Sequence, residues 1–209
     1  HAIFIDDHPS IDWRAREDLS LLVDSGTSVA HCPSPFARYG HAMADFGRYH
    51  RAGVNLGFGT DVTPHNLIEE MRLAIILARV MANNIKTTDA QMVFHAATVG
   101  GAKSLLRDDL GRLEKGAKAD LVMVDITQPI MRPAHDPLKS LIYHGADRAV
   151  KTVFIDGKLA VDNGSVVHLD MSDAAGRLEI AQQRMLKDVP NHDFLGREAK
   201  DITPLSLNL

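Results

Sequence analysis

Val54-Asn55-Leu56-Gly57-Phe58-Gly59-Thr60-Asp61 is a run of apolar and small residues that stops on a carboxylate, as a buried parallel strand does. Past the turn residues Thr63-Pro64-His65-Asn66, the stretch from Leu67 to Ala74 takes up a helical period. A carboxylate at the carboxyl end of a strand in a βα fold stands where such folds keep their chemistry. Asp61 could instead cap the next helix, but it precedes the helical pattern by five residues, and Asn66 fits the cap better. Asp61 is therefore read as a functional residue.

The same texture extends to either side. His1 to Asp6 reads as a strand already in progress, and Ile11, Ala15, Leu19, Leu22 and Val23 mark a helical face closed by Gly26. Thr27 to Cys32 reads as a short strand broken by Pro33 and Pro35. A helix is expected from Ala42 to Arg51, stopped by Gly53, and another from Leu67 to Met81. Strand and helix alternating at this spacing predict parallel βα units. Three units do not close an eight-stranded barrel. Either the sheet is open or residues before His1 supply the rest, and a first residue that is His inside a strand favours the latter expectation.

Beyond this repeat the texture changes. Thr88 to Leu106 reads as a helix with Thr88 as its cap. Leu110 to Gly116 is turn-rich, and Ala119 to Asp125 reads as a strand. Val150 to Ile155, the Asp156-Gly157 pair and Lys158 to Val161 carry a hairpin signal. Asp173 to Val189 reads as a terminal amphipathic helix, with a surface tail from Pro190 on.

Composition excludes several partner classes. The 209 residues are 45% hydrophobic and 24% charged, with a formal net charge of -4, which gives no electrostatic case for nucleic acid or an anionic membrane. The longest apolar helical run, Met71 to Ala82, carries Arg72 and Arg79 and is too short to span a bilayer. A single cysteine, Cys32, builds no internal disulfide framework and suits a cytoplasmic location; without a base in its motif it reads as core filler.

Four stretches together resemble the amidohydrolase superfamily. They are His1 with its strand; Ser28-Val29-Ala30-His31-Cys32-Pro33-Ser34; Gly57 to Asp61 with Glu69-Glu70-Met71-Arg72; and Leu110 to Leu121. The resemblance is to the branch of metal-dependent aminohydrolases and chlorohydrolases of N-heterocycles, such as triazine hydrolases, cytosine and guanine deaminases and deaminases of thiolated or homocysteinyl adenosines. It implies an α/β fold, the C-terminal portion of a (β/α)8 TIM-type barrel (strands six to eight) plus part of a small β-sandwich. The division it implies is barrel over 1–109, sandwich segment with return to the barrel over 110–170, and terminal helix and tail over 171–209. Asp61 matches the strand-eight aspartate, which ligates the metal and takes a proton from its water. His1 matches the strand-six histidine, which orients the nucleophile or polarises the scissile centre; by residue type alone it is an ordinary first residue of a fragment. The remaining ligands, a His-x-His pair and a strand-five histidine with a nearby acid/base glutamate, would lie upstream of His1.

Such chemistry needs a nucleophile at neutral pH, and a divalent metal lowers the pKa of a water from ~15.7 to about 7. Zinc is the default for imidazole and carboxylate ligands, and iron fits the same set. His31 either lines the pocket or is a buried, hydrogen-bonded histidine. His65 and Asn66 either touch substrate or serve the turn and cap. Glu69, Glu70 and Arg72 read as a helix start, where acidic residues suit the first turn.

The chain differs from relatives of that branch in two pocket-forming loops. Pro35-Phe36 stands where a Ser-Asn pair is common, and Val62-Thr63-Pro64-His65-Asn66 follows Asp61. Phe36 permits stacking and Arg38 permits anion or carbonyl binding. The function implied is hydrolysis of a C–N or C–Cl bond of a small N-heterocycle, and a homo-oligomer, dimer or larger, is expected. The alternatives are an amide or carbamate hydrolase, and a non-catalytic module.

Overall fold

A computed structural model describes residues 17–43 and 45–207, apart from the side chains of 146 and 147. The expected opening strand, His1 and the first part of the helix over Ile11 to Asp24 lie outside the described residues. The chain divides into two units, 1–164 and 165–209.

In the first unit, helix α1 (Asp18–Asp24) leads into strand β1 (Val29–His31). Helix α2 (Pro33–Arg38) follows at once, where sequence led us to expect only a break. Pro33 stands at its first turn, the one helical position that loses nothing from the missing N–H. Helix α3 (Phe46–Ala52) ends at Gly53, whose φ of 98° only glycine adopts without strain. Strand β2 (Leu56–Phe58) then pairs in parallel with β1, Val29 opposite Leu56 and His31 opposite Phe58. The strand thus stops three residues short of Asp61. Helix α4 (Leu67–Ala82) is capped as expected by Asn66, whose side chain accepts from the Glu69 N–H.

Alternation along β1 buries Val29 and His31 and exposes Ala30. The buried side packs with Phe46 and Tyr49 of α3 and with Met71, Ala74, Ile75 and Ala78 of α4. Tyr49 and Ile75 are fully buried and Phe46 nearly so, and each such side chain stabilises the fold by about 1.5–3 kcal/mol. Helix α5 (Ala90–His95) runs through a π-helical turn (Ala96–Gly100) into α6 (Gly101–Ser104). Its cap is Asp89, which accepts from the Met92 N–H, rather than Thr88, which is buried one residue earlier. This run crosses β2 so closely that a Cβ on Gly100 would lie 2.1 Å from the Leu56 carbonyl oxygen. Asn55 fastens the same corner, donating from Nδ2 to Ser28 Oγ, Gly100 O and Ser104 Oγ.

Strands β3 (Leu121–Val124), β4 (Val150–Ile155) and β5 (Lys158–Asp162) pair antiparallel in that order. Asp156 and Gly157 turn the hairpin at φ 48° and 75°, the two left-handed positions a type I′ turn demands. Between β3 and β4 lies α7 (Pro137–Ser140), continued by a second π turn (Leu141–Gly145).

The second unit holds α8 (Met171–His192), capped by Asp170, and α9 (Ala199–Ile202). Helix α8 continues through Pro190 instead of stopping before it. No helix among the described residues is long and apolar enough to cross a membrane.

The two glycines Gly100 and Gly176 make opposite predictions. Gly100→Ala forces the α5–α6 run off β2 and lowers stability by about 1–3 kcal/mol. A Cβ on Gly176 meets nothing within 4 Å, so Gly176→Ala inside α8 stabilises that helix by about 0.5–1 kcal/mol. Thermal unfolding followed by circular dichroism, with Tm falling for the first and rising for the second, checks both.

Candidate active-site loops

Two loops leave the same end of the parallel pair. The first runs from β1 into α2 and carries Cys32, with Phe36 and Arg38 following on α2 itself; the second runs from β2 into α4 and carries Asp61 and His65. The Gly59 N–H donates to the His31 carbonyl at 3.1 Å, carrying the pairing one residue past β2. Asp61 then takes a φ of 59°, the left-handed region that non-glycine residues enter rarely and Asp more readily than most. Backbone held there is a recurrent feature of functional turns. Hydrogen bonds define the turn around it: Val62 N–H to Thr60 O at 2.6 Å, Asn66 N–H to Pro64 O at 2.8 Å, and Thr60 Oγ1 with His65 Nδ1 at 2.8 Å. Asp61 and His65 are both exposed.

His31 occupies a different setting. It is 8% exposed, with ring centroids 5.6 Å from Phe46 and 5.7 Å from Phe58, and those two phenyl rings stack at 5.6 Å. The ring is buried beneath α3, packed against these two phenyl rings. Burial disfavours the imidazolium and lowers the His31 pKa to about 4. Phe36 is half-buried on α2.

Cys32 is buried, and burial, followed by the nearby charges of Asp61 and Glu70, pushes its thiol up. A thiol held protonated is a poor nucleophile, in keeping with its expected role as core filler.

Ties between the loops came from residues that sequence reasoning assigned to other duties. Arg38 Nη2 donates to the Thr63 carbonyl at 2.7 Å. Glu70, expected to serve the helix start, is 1% exposed, and its Oε2 accepts from the Ser34 N–H at 2.9 Å. The available signal was its period: Glu70, Ala74 and Ala78 share the buried stripe of α4. Between α2 and α4 opens a cleft of about 340 Å³ lined by Ser34, Arg38, Pro64, Asn66, Glu69 and Glu70, among others.

The described residues contain no group of three or more His, Cys, Asp or Glu able to hold a metal ion. A catalytic metal usually takes three protein ligands, so these residues do not make up a metal site by themselves, although the donor chemistry of Asp61 suits one ligand of such a site. His1 lies outside the described residues.

Parallel βα units with a carboxylate just beyond a strand's carboxyl end are the architecture of the amidohydrolases. Residues 1–160 match the amidohydrolase family, and the chain belongs to it. It is 35% identical over 176 residues to the 5-methylthioadenosine/S-adenosylhomocysteine deaminase of Haloarcula marismortui, covering 81% of this chain and 38% of the relative. It is 30% identical over 177 residues to the 5'-deoxyadenosine deaminase of Methanosphaera stadtmanae, covering 83% and 41%.

Among solved structures, it resembles an adenosine deaminase from Xanthomonas campestris with bound zinc. The TM-score is 0.76 at 32% identity, covering 81% of this chain and 40% of that one. It also resembles the atrazine chlorohydrolase of Arthrobacter aurescens TC1 complexed with zinc, with a TM-score of 0.72 at 29% identity, covering 80% and 38%. The chain therefore spans about two fifths of the length of the curated relatives it matches.

The depressed His31 pKa sets a pH dependence. Unfolded, this imidazole binds a proton below about 6.5; folded, it does so only below about 4. Stability is therefore unaffected by His31 above pH ~6.5 and falls as pH drops from there towards 4, by roughly 3 kcal/mol in all. His31→Phe removes this contribution, so the difference in urea-unfolding free energy between wild type and variant shifts in the variant's favour as pH falls across that window.

Proposed function

We propose that this chain is part of a metal-dependent hydrolase that uses a metal-activated water to cleave a C–N bond, or a C–Cl bond, of a small N-heterocyclic compound. The observation that carries the reading is Asp61, exposed just beyond the carboxyl end of β2 at a left-handed φ of 59° in a chain of the amidohydrolase family. The C–N arm is favoured because the relatives at 30–35% identity bear the names of deaminases of adenosine derivatives.

In this reading residues 1–109 are strands six to eight of a barrel with their helices, 110–170 a β-sandwich segment returning to it, and 171–209 a terminal helix and tail. A bound divalent cation would supply a water acidified to a pKa of about 7. The zinc in both solved relatives supports zinc, and iron suits the same donor types. Asp61 would give one ligand and accept the proton of the attacking water. His1, across the pocket, would polarise the reacting centre. Phe36 on α2 and His65 on the β2–α4 loop would contact the heterocycle, and His31 would back the wall from beneath, held by Phe46 and Phe58.

In this reading the described residues supply only part of the metal site, and activity needs donors from outside them. The protein is proposed to act on a small molecule in the cytoplasm as a homo-oligomer. The exposed apolar side chains of Val122 and Met123 on β3 support association through open strands.

Asp61→Asn in the natural-length, metal-loaded protein is expected to lower kcat by at least ~10²-fold, the scale of a lost acid–base group. Assays should follow ammonia, chloride and carboxylate release in parallel across N-heterocycles, amides and carbamates. Ammonia release that collapses in the variant and on chelation supports the deaminase reading. Carboxylate release alone moves the assignment to an amide or carbamate hydrolase, and wild-type turnover in Asp61→Asn overturns the role of Asp61.

A further inference from the structure

Glu70 stands apart from its acidic neighbour. Glu69 is half-exposed and pairs with Arg72 at 3.3 Å, as a residue in the first turn of a helix does. Glu70 points inward and is 1% exposed. Its buried partner is the Ser34 N–H, at 2.9 Å across 36 residues of sequence. A leucine at this point of the stripe would bury similar volume without the desolvation cost of a carboxylate. What the carboxylate adds is a link between α4 and the start of α2, two residues after Cys32. The Arg38–Thr63 bond joins the end of α2 to the β2–α4 loop from the exposed side.

We infer that Glu70 is a positioning residue: by holding the Ser34 N–H it fixes α2 against α4, and so sets where Phe36 and Arg38 stand relative to the loop that carries Asp61 and His65. The inference rests on the catalytic reading of Asp61 given above. Glu70 touches no reacting atom in this scheme; it acts through the backbone of α2.

Cys32, the single cysteine of the chain, provides a reporter independent of catalysis, because its thiol is buried at the entry to α2. Two variants separate the roles. Glu70→Gln keeps an acceptor oxygen on a stem of the same length, and Glu70→Leu keeps the volume and removes the acceptor. Both lose the negative charge that raises the Cys32 pKa, so that effect is common to both and cancels between them.

In the natural-length protein, Cys32 alkylation followed by peptide mass spectrometry and amide exchange over 33–38 should accelerate by on the order of tenfold in Glu70→Leu. Glu70→Gln should stay within about threefold of wild type. Exchange in α3 and α5 should be unchanged in both. In the activity assay, Glu70→Leu should lower kcat by roughly tenfold or more and raise KM, since α2 carries the proposed substrate contact Phe36, and Glu70→Gln should restore both.

Uniform loosening of α3 and α5 along with α2, or no local loosening, overturns the inference, as does local loosening with kcat unchanged. If the wild-type protein hydrolyses none of the substrates, the reading of Asp61 fails, while the labelling arm still decides whether Glu70 holds α2. Should Glu70→Leu not fold, Glu70→Met replaces it, its flexible stem adapting to the same space.

Discussion

The packing of α3 and α4 against one side of a two-stranded parallel pair is the constraint from which the rest of the first unit follows. Parallel strands cannot be joined by a tight turn, so the chain between β1 and β2 must cross over, and it does so through α2 and α3. Its Phe46 reaches the pair at its carboxyl end, against His31 and Phe58. This cluster forces the imidazole into an apolar setting and leaves the loops beyond it as the chemically available surface. Burial beneath and exposure above thus arise from one event, the seating of α3.

Much of this was legible because it is periodic or local. The alternation of apolar runs with helical faces specified β1, α3, β2 and α4. Gly53, Asn66 and the Asp156-Gly157 turn are single residues whose backbone or side-chain demands act over a few neighbours. The family likewise followed from four short stretches in a fixed order. Where the local rules competed, they misled. Thr88 and Asp89 are adjacent cap formers, and only the packing that buries Thr88 decides in favour of Asp89. Pro190 ordinarily stops a helix, yet α8 passes through it and ends two residues later.

The site was harder to read, for a reason of distance. Asp61 stands out in the sequence because its context is local: a carboxylate after an apolar strand and before a capped helix. Glu70 was assigned to the helix start because the pair Glu69-Glu70 satisfies that rule on its face. Its actual partner lies 36 residues away, and no pattern within α4 encodes it except the period that sets it in line with Ala74 and Ala78. The same applies to Arg38, whose hydrogen bond to Thr63 spans 25 residues. Contacts of this kind are consequences of the fold and carry no signature of their own in the chain.

That separation bears on how a βα site can be built at all. Each strand delivers one or two groups to a shared end, so the strands alone fix only the anchor points, and the loops between them need their own restraint. Here the restraint is layered. An exposed arginine joins α2 to the β2–α4 loop, and a buried carboxylate joins α2 to α4, with less water to compete for the hydrogen bond. The inner tie should dominate, because an exposed guanidinium–carbonyl bond exchanges readily with solvent, whereas a buried acceptor without its donor bears the full desolvation penalty. Asp61 therefore lies in a loop that is tied to α2 through Thr63 and runs on into α4, which Glu70 holds to the same helix.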